Sequence, residues 1–321
     1  MKPLILLLFT GLLSGSLYSA GKLTDPDQVA PLTLLLWQVG GGSLVLWLVL
    51  LLRRQRLAWS RQYRHYYLIG GLLGVSIPYA LAYLIVSRVP VGLVGLYTAL
   101  SPLLTYAIAR LLGYEAGSWR RWMGLALGLA GVLMIMLPRG NGSPADWRYL
   151  LIGLGIPLSL ALSNLYRSRA WPAGSQPLTL ATGMLSVQGL WLIPLTLLLG
   201  QFELPSLNPQ QAGSIGIPLA LIAGISFLCT FALLRLSGPV YLSQLGYVIT
   251  SVTLAIGILF FNEQYGLADW LAISLIFTGI LLTGQRLQEA ARKQPAANPS
   301  TIRQPGGNPR INLNRRAQEH A

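Results

Sequence analysis

The sequence predicts an all-α integral membrane protein, with ten transmembrane helices arranged as two inverted five-helix repeats. Three observations carry that expectation. Hydrophobic residues make up 53% of the 321 and charged residues only 10%, with a mean hydropathy of +0.57, far from the balance of a water-soluble domain. Charge-free stretches recur along the chain, and ten crossings fit because a helix crosses about 30 Å of hydrocarbon with about 20 residues. The first half also echoes in the second: Glu115 answers to Glu263, Trp122 to Trp270 and Gly131 to Gly279, each 148 positions on, and Pro90 to Pro239 at 149.

The echo reaches back to Leu17 and Tyr18, which return as Leu165 and Tyr166, with Ser16 in the place of Asn164. Residues 1–138 therefore form one repeat and 139–287 the second, leaving 288–321 as a basic tail. Five crossings per copy is an odd number, so the second copy enters the bilayer from the opposite side and the repeat is inverted.

The formal charge of +14 is explained by topology and not by a nucleic-acid partner. With the N-terminus cytoplasmic, nineteen Lys and Arg fall on the inner side, including the run from Arg53 to Arg64, and only Lys22, Arg88, Arg139 and Arg148 fall outside. The positive-inside rule then sets both termini in the cytoplasm.

Helix 1 is expected over about 3–20, with Gly11 and Gly15 four apart so that another helix can approach closely. Lys2 and the apolar run to Ala20 have the form of a secretory signal. The partner stretch at Ser163 to Tyr166 marks it instead as a retained helix. Helix 2 follows over about 31–52, then the basic connector Arg53 to His65. Helix 3, about 66–87, is kinked at Pro78 and carries Tyr79 and Tyr83 one turn apart. Helix 4, about 90–112, places Tyr97 and Ser101 on one face, with Pro102 interrupting its ladder. Helix 5, about 119–137, has a small-residue edge at Gly124, Gly128 and Gly131.

A loop rich in Gly, Asn and Pro, 138–146, joins the copies. Helices 6, 7 and 8 are expected over about 147–167, 178–200 and 215–236, with Asn164 inside helix 6. Helix 9, about 239–261, carries Gln244, Tyr247 and Ser251 in one polar stripe, with Ser251 standing where the first copy has Pro102. Helix 10 covers about 267–285, and from Glu289 onward the composition predicts a disordered cytoplasmic tail.

At these residues the chain resembles the drug/metabolite transporter superfamily, specifically the ten-helix EamA-like branch with two tandem domains. The carriers of the likeness are Gly15, Ser16 and Tyr18, the stretch from Pro90 to Glu115 with Ser101 and Pro102 inside it, Trp122 to Gly131, and their echoes. The resemblance implies a secondary transporter of the bacterial inner membrane that exports small metabolites, amino acids first, by alternating access. The other readings are a carrier of nucleotide sugars, sugar phosphates or drugs, or a non-transporting scaffold. It also implies that helices 1, 3, 4, 6, 8 and 9 line a central cavity, which places Tyr79, Tyr83, Tyr97, Asn164, Gln244 and Tyr247 near substrate.

The residues themselves weigh on that list. A buried amide facing lipid is costly, so Asn164 and Gln244 point inward, either lining a cavity or bonding a neighbouring helix. Tyr18 and Tyr166, near helix ends, fit an interfacial aromatic belt. No Asp, Glu, Lys or His falls deep within a span, which counts against a carboxylate proton relay and against a charged substrate. Proton coupling or no coupling ion, and a homodimer, stay open. Glu115 and Glu263 sit at helix ends, where capping or ion pairing fits them. With one cysteine, Cys229, and neither a phosphate loop, a metal-ligand cluster nor a catalytic triad, the chain offers no cofactor or metal site and little for an enzyme.

Overall fold

The computed structural model describes residues 2–24, 29–113, 119–136, 147–202 and 215–293. The described residues form thirteen α-helices, with a π-helical turn at Leu72–Ser76, and no strand. Helix α1 is Lys2–Ala20, α2 Pro31–Leu52, α3 Arg61–Gly71, α4 Ile77–Ile85, α5 Val91–Ala99, α6 Ser101–Leu111 and α7 Trp119–Met136. The second copy supplies α8 Trp147–Gly153, α9 Gly155–Ala170, α10 Pro177–Leu198, α11 Ile217–Ser243, α12 Leu245–Phe261 and α13 Leu267–Lys293. Seven helical stretches of 18 residues or more are apolar enough to cross a membrane, and shorter apolar helices at Trp122–Met134, Leu245–Phe261 and Leu267–Gly279 complete ten spans. Large apolar side chains face outward on these spans, Leu44, Leu52, Leu198 and Phe260 among them, as a lipid solvent requires.

Several spans are interrupted. Pro102 cannot donate to the ladder, so helix 4 breaks at Leu100 into α5 and α6 with Pro102 in the first turn of α6. Its echo span has Ser251 there, and α12 runs through it unbroken. In helix 3 the π-helical turn Leu72–Ser76 separates α3 from α4, with Pro78 in the first turn of α4. The Gln188 amide, reaching from α10, donates to Tyr67 O at 3.1 Å and Leu68 O at 3.2 Å. Ser159 on α9 donates to Leu73 O at 2.7 Å. The slack in helix 3 is thus filled by polar side chains of the second copy.

Three boundaries differ from expectation, the first being α3, which begins at Arg61, inside the segment expected as connector. The helical backbone of α11 does not stop before Pro239 but continues to Ser243, and the break comes at Gln244, where Tyr247 N–H bonds back to Gln244 O at 3.1 Å. Helix α13 continues to Lys293, into the segment expected as tail. Glu115, the 138–146 junction and residues 294–321 lie outside the described residues.

The two copies are related by a two-fold exchange. Helix α5 packs on α12, α7 on α13 and α2 on α10, each against its own echo. The cross pairs match as well: α1 lies on α12 as α9 lies on α6, α1 on α11 as α9 on α4, and α2 on α11 as α10 on α3. Glycines fix this at atomic scale. A Cβ on Gly131 would strike Ala272 O and Ile276, and one on Gly279 would strike Gly124 O and Gly128 N. Ala272 and Ile276 are the echoes of Gly124 and Gly128, so α7 and α13 meet along the same small-residue edge from both sides.

Candidate functional site

A cavity of about 100 Å³ lies where the two copies meet, walled by α1, α5, α6, α9, α11 and α12 together with the helix 3 span. The breaks put it there. Thr98, Ser101 and Pro102 reach it from the α5–α6 joint, Gly74 from the π-helical turn, and Leu242, Leu245 and Gly246 from the α11–α12 joint. An interrupted ladder is tolerated at membrane depth where it lines a cavity or is repaired by neighbours.

Its polar wall is a short chain of bonds. Arg167 Nη2 donates to Asn164 Oδ1 at 3.1 Å, and Asn164 Nδ2 donates to Ser101 Oγ at 3.2 Å. Opposite, Ser14 and Ser226 share a buried bond of 2.7 Å between α1 and α11. The aromatic wall is Tyr18 stacked on Tyr79, centroids 4.4 Å apart and nearly parallel at 11°, with Phe227 against Tyr79 at 6.3 Å.

Arg167 also borders a second space of about 290 Å³, lined by Ser168, Trp171, Ser175, Leu234 and Arg235 at the C-terminal end of α9. Ser168 and Arg235 are exposed there, so this space is a vestibule that leads to the guanidinium. Away from this vestibule, the end of α1 and the start of α5 are tied together through Glu263. Glu263 Oε1 accepts the Lys22 ammonium and, at 2.7 Å, the Val91 N–H; Oε2 accepts the Tyr265 hydroxyl at 2.6 Å and the Gly92 N–H at 3.4 Å. The carboxylate caps the N-terminus of α5 while pairing with the end of α1, and its side chain is only 8% exposed. Asn262, in the left-handed region at φ 52°, turns the chain so that Glu263 reaches back. A Cβ on Gly92 would strike the Tyr265 hydroxyl, and one on Gly257 the Glu263 carboxylate.

Burial pushes the Glu263 carboxyl upward, but the Lys22 ammonium, the Tyr265 hydroxyl and the Val91 N–H together outweigh it and hold the pKa below the ordinary carboxylate range. A lowered folded-state pKa means that the knot contributes stability in full above the unfolded carboxyl pKa of about 4.3, and that this contribution fades as pH falls through the folded value.

Of the expected site residues, Asn164 and Tyr79 line the cavity. Tyr83 is buried one layer away, its hydroxyl donating to Gln38 Oε1 at 2.5 Å and Leu17 O at 3.1 Å. The Tyr97 hydroxyl is held by Leu150 O at 2.7 Å, beside the α8–α9 joint. Gln244 is half-buried at the N-cap of α12, and Tyr247 packs on Phe277 of α13 at 6.1 Å; neither is in the cavity wall. Two readings are corrected. Tyr18 is 3% exposed and belongs to the cavity wall, not to an interfacial belt. Arg167, counted with the cytoplasmic surface charges, is 9% exposed within the span Trp147–Ala170. The helical spacing held the signal for Arg167, since a residue three after Asn164 shares its face.

Comparison with known proteins agrees with this architecture. Residues 1–137 match the EamA-like transporter family. The likeness to the EamA-like transporter family thus covers the first repeat. It is 29% identical over 203 residues to the uncharacterized inner membrane transporter YedA of Escherichia coli K12, covering 61% of this chain and 62% of YedA. The chain thus spans about three-fifths of that relative's length. It is 26% identical to protein PecM of Dickeya dadantii over 66% of this chain and 71% of PecM, and 24% identical to the uncharacterized transporter YvbV of Bacillus subtilis over 78% and 82%. A solved crystal structure superposes with a TM-score of 0.60 over 90% of this chain and 98% of its own, at 17% identity, a likeness of fold alone.

Proposed function

We propose that this EamA-like protein is a secondary transporter of the inner membrane, exporting a small metabolite by alternating access, with both termini in the cytoplasm. One observation carries the reading: a polar cavity between inverted repeats, with α1 and α5 tied together through Glu263 and a vestibule bordering it at Arg167. Two similar units can exchange conformations, and so open a central site to either side. The arginine-rich connectors support a cytoplasmic vestibule, and on that reading the described state faces inward. The family and the relatives named as inner membrane transporters support transport over catalysis.

The substrate-contacting set is Asn164 and Tyr79, joined by Arg167, Tyr18, Ser101 and the Ser14–Ser226 pair. Tyr83, Tyr97, Gln244 and Tyr247 act behind that wall, holding its helices. Amino acids are the first class to test, because a carboxylate suits the guanidinium and a side chain suits the aromatic wall. Sugar phosphates and nucleotide sugars are less suited to a space of this size. Counterflow in proteoliposomes with a panel of radiolabelled amino acids tests the reading. Saturable, protein-dependent exchange of at least one is expected. Exchange of other metabolites but no amino acid removes the amino-acid assignment, and exchange of none favours the scaffold.

A further inference from the structure

We infer that the metabolite bound in the central cavity carries a single carboxylate, and that the Arg167 guanidinium is its anchor; the inference deepens the transporter reading and rests on it for the site's role. A charge buried in a membrane span is expensive unless it is paired. Among the described residues the ion pair is Lys22–Glu263, at the other end of the molecule, and no carboxylate lies against Arg167. A guanidinium offers five N–H donors in a fixed fork. Here one bond is made among the described residues, Nη2 to Asn164 Oδ1. Nε is buried and has no partner among them. The residue is more than nine-tenths buried and lines both the cavity and the vestibule. A cation held dry, with donors to spare, and bordering both the vestibule and the cavity is arranged to take an anion.

The surroundings limit that anion. Among the described residues Arg167 is the one charged residue lining the cavity, and the polar groups beside it are neutral: Ser14, Ser226, Thr98, Ser101, Thr230 and Asn164, with the phenols of Tyr18 and Tyr79. One carboxylate neutralises the guanidinium itself, and the ammonium of an amino acid is left to the hydroxyl and amide oxygens of the wall. A phosphate dianion would leave a net negative charge with no second cation in the wall, a costly state away from water. A neutral ligand would leave the guanidinium unpaired. Carboxylate and guanidinium match as two parallel N–H···O bonds. Tyr18, Tyr79 and Phe227 then face the apolar body of the same molecule.

The test compares acids with their isosteric amides. Purified full-length protein in detergent is titrated by thermal shift with L-leucine and L-leucinamide, L-phenylalanine and L-phenylalaninamide, and 3-phenylpropionate and 3-phenylpropionamide. At least one acid is expected to bind ten or more times more tightly than its amide. Arg167→Gln is expected to abolish that preference and Arg167→Lys to keep part of it, retaining charge without the fork. Equal binding of acid and amide, no binding by any acid, or an acid preference that survives Arg167→Gln overturns the inference. Should Arg167→Gln not fold, the acid–amide comparison in the native protein decides alone. Proteoliposome flux of the same compounds separates the two readings. Acid-selective binding without flux leaves the anchor standing and sinks the transporter, whereas flux of amides equal to acids does the reverse.

Discussion

The two ends of the molecule each hold a buried charge at the margin of a span, and they treat it in opposite ways. Glu263 is saturated: an ammonium, two backbone N–H groups and a hydroxyl converge on its two oxygens. Among the described residues Arg167 makes one bond and keeps a buried Nε without a partner. A satisfied charge acts as a clasp, because opening it leaves several groups unpaired at once. An unsatisfied one is a place for something else to bind. The contrast distinguishes the two ends without reference to any relative.

The largest expected effect concerns the frame both ends share. Gly279→Leu forces side-chain atoms onto Gly124 O and Gly128 N, backbone that cannot step aside, and should cost about 3 kcal/mol or more. The yield of monodisperse protein would report it. If Gly279→Leu purified with an unchanged Tm, α7 and α13 would not be in the contact described.

Next comes the clasp. Glu263→Ala leaves Lys22, Tyr265 and the α5 N-terminus without their acceptor, and should weaken closure at that end by about 2–3 kcal/mol, allowing for the partial exposure of Lys22. Labelling of a cavity cysteine from the outer side should rise by tens of fold. Acid acts in the same direction: because the folded pKa lies below the ordinary range, closure should be constant from pH 8 to 5 and loosen only below about pH 4.3. A transport rate that titrated through Glu263 near neutrality would break this account of the clasp.

The smallest effect belongs to the residues behind the wall. Tyr83→Phe removes bonds to Gln38 and Leu17 O, and should lower stability by about 1 kcal/mol. Substrate affinity should stay as it is. A large loss of affinity at constant Tm would return Tyr83 to the site.

Much of the frame was legible because it rests on local chemistry and on repetition. Composition and charge spacing mark the ten spans, the Gly131–Gly279 echo marks the pseudo-two-fold, and Pro102 marks the α5–α6 break, since a missing N–H acts wherever it falls. The π-helical turn at Leu72–Ser76 was not legible, because what fills it is Gln188 on another helix. The site was half legible for a related reason. Asn164 and Tyr79 are in the wall, but whether a phenol faces a cavity or a carbonyl depends on partners distant in sequence, as with Tyr97 and Leu150 O. Arg167 was assigned to the cytoplasmic surface because hydropathy places a charge at a span boundary and cannot see a vestibule drawn in beside it.

The most direct test places Thr230→Cys in the cavity wall, in a Cys229→Ser background, and reacts it with a membrane-impermeant maleimide in vesicles of known sidedness. The account predicts labelling from the cytoplasmic side with Lys22–Glu263 intact, and labelling from the outer side only once Glu263→Ala is added. Outer-side labelling with the clasp intact, or none from the cytoplasmic side, would contradict it.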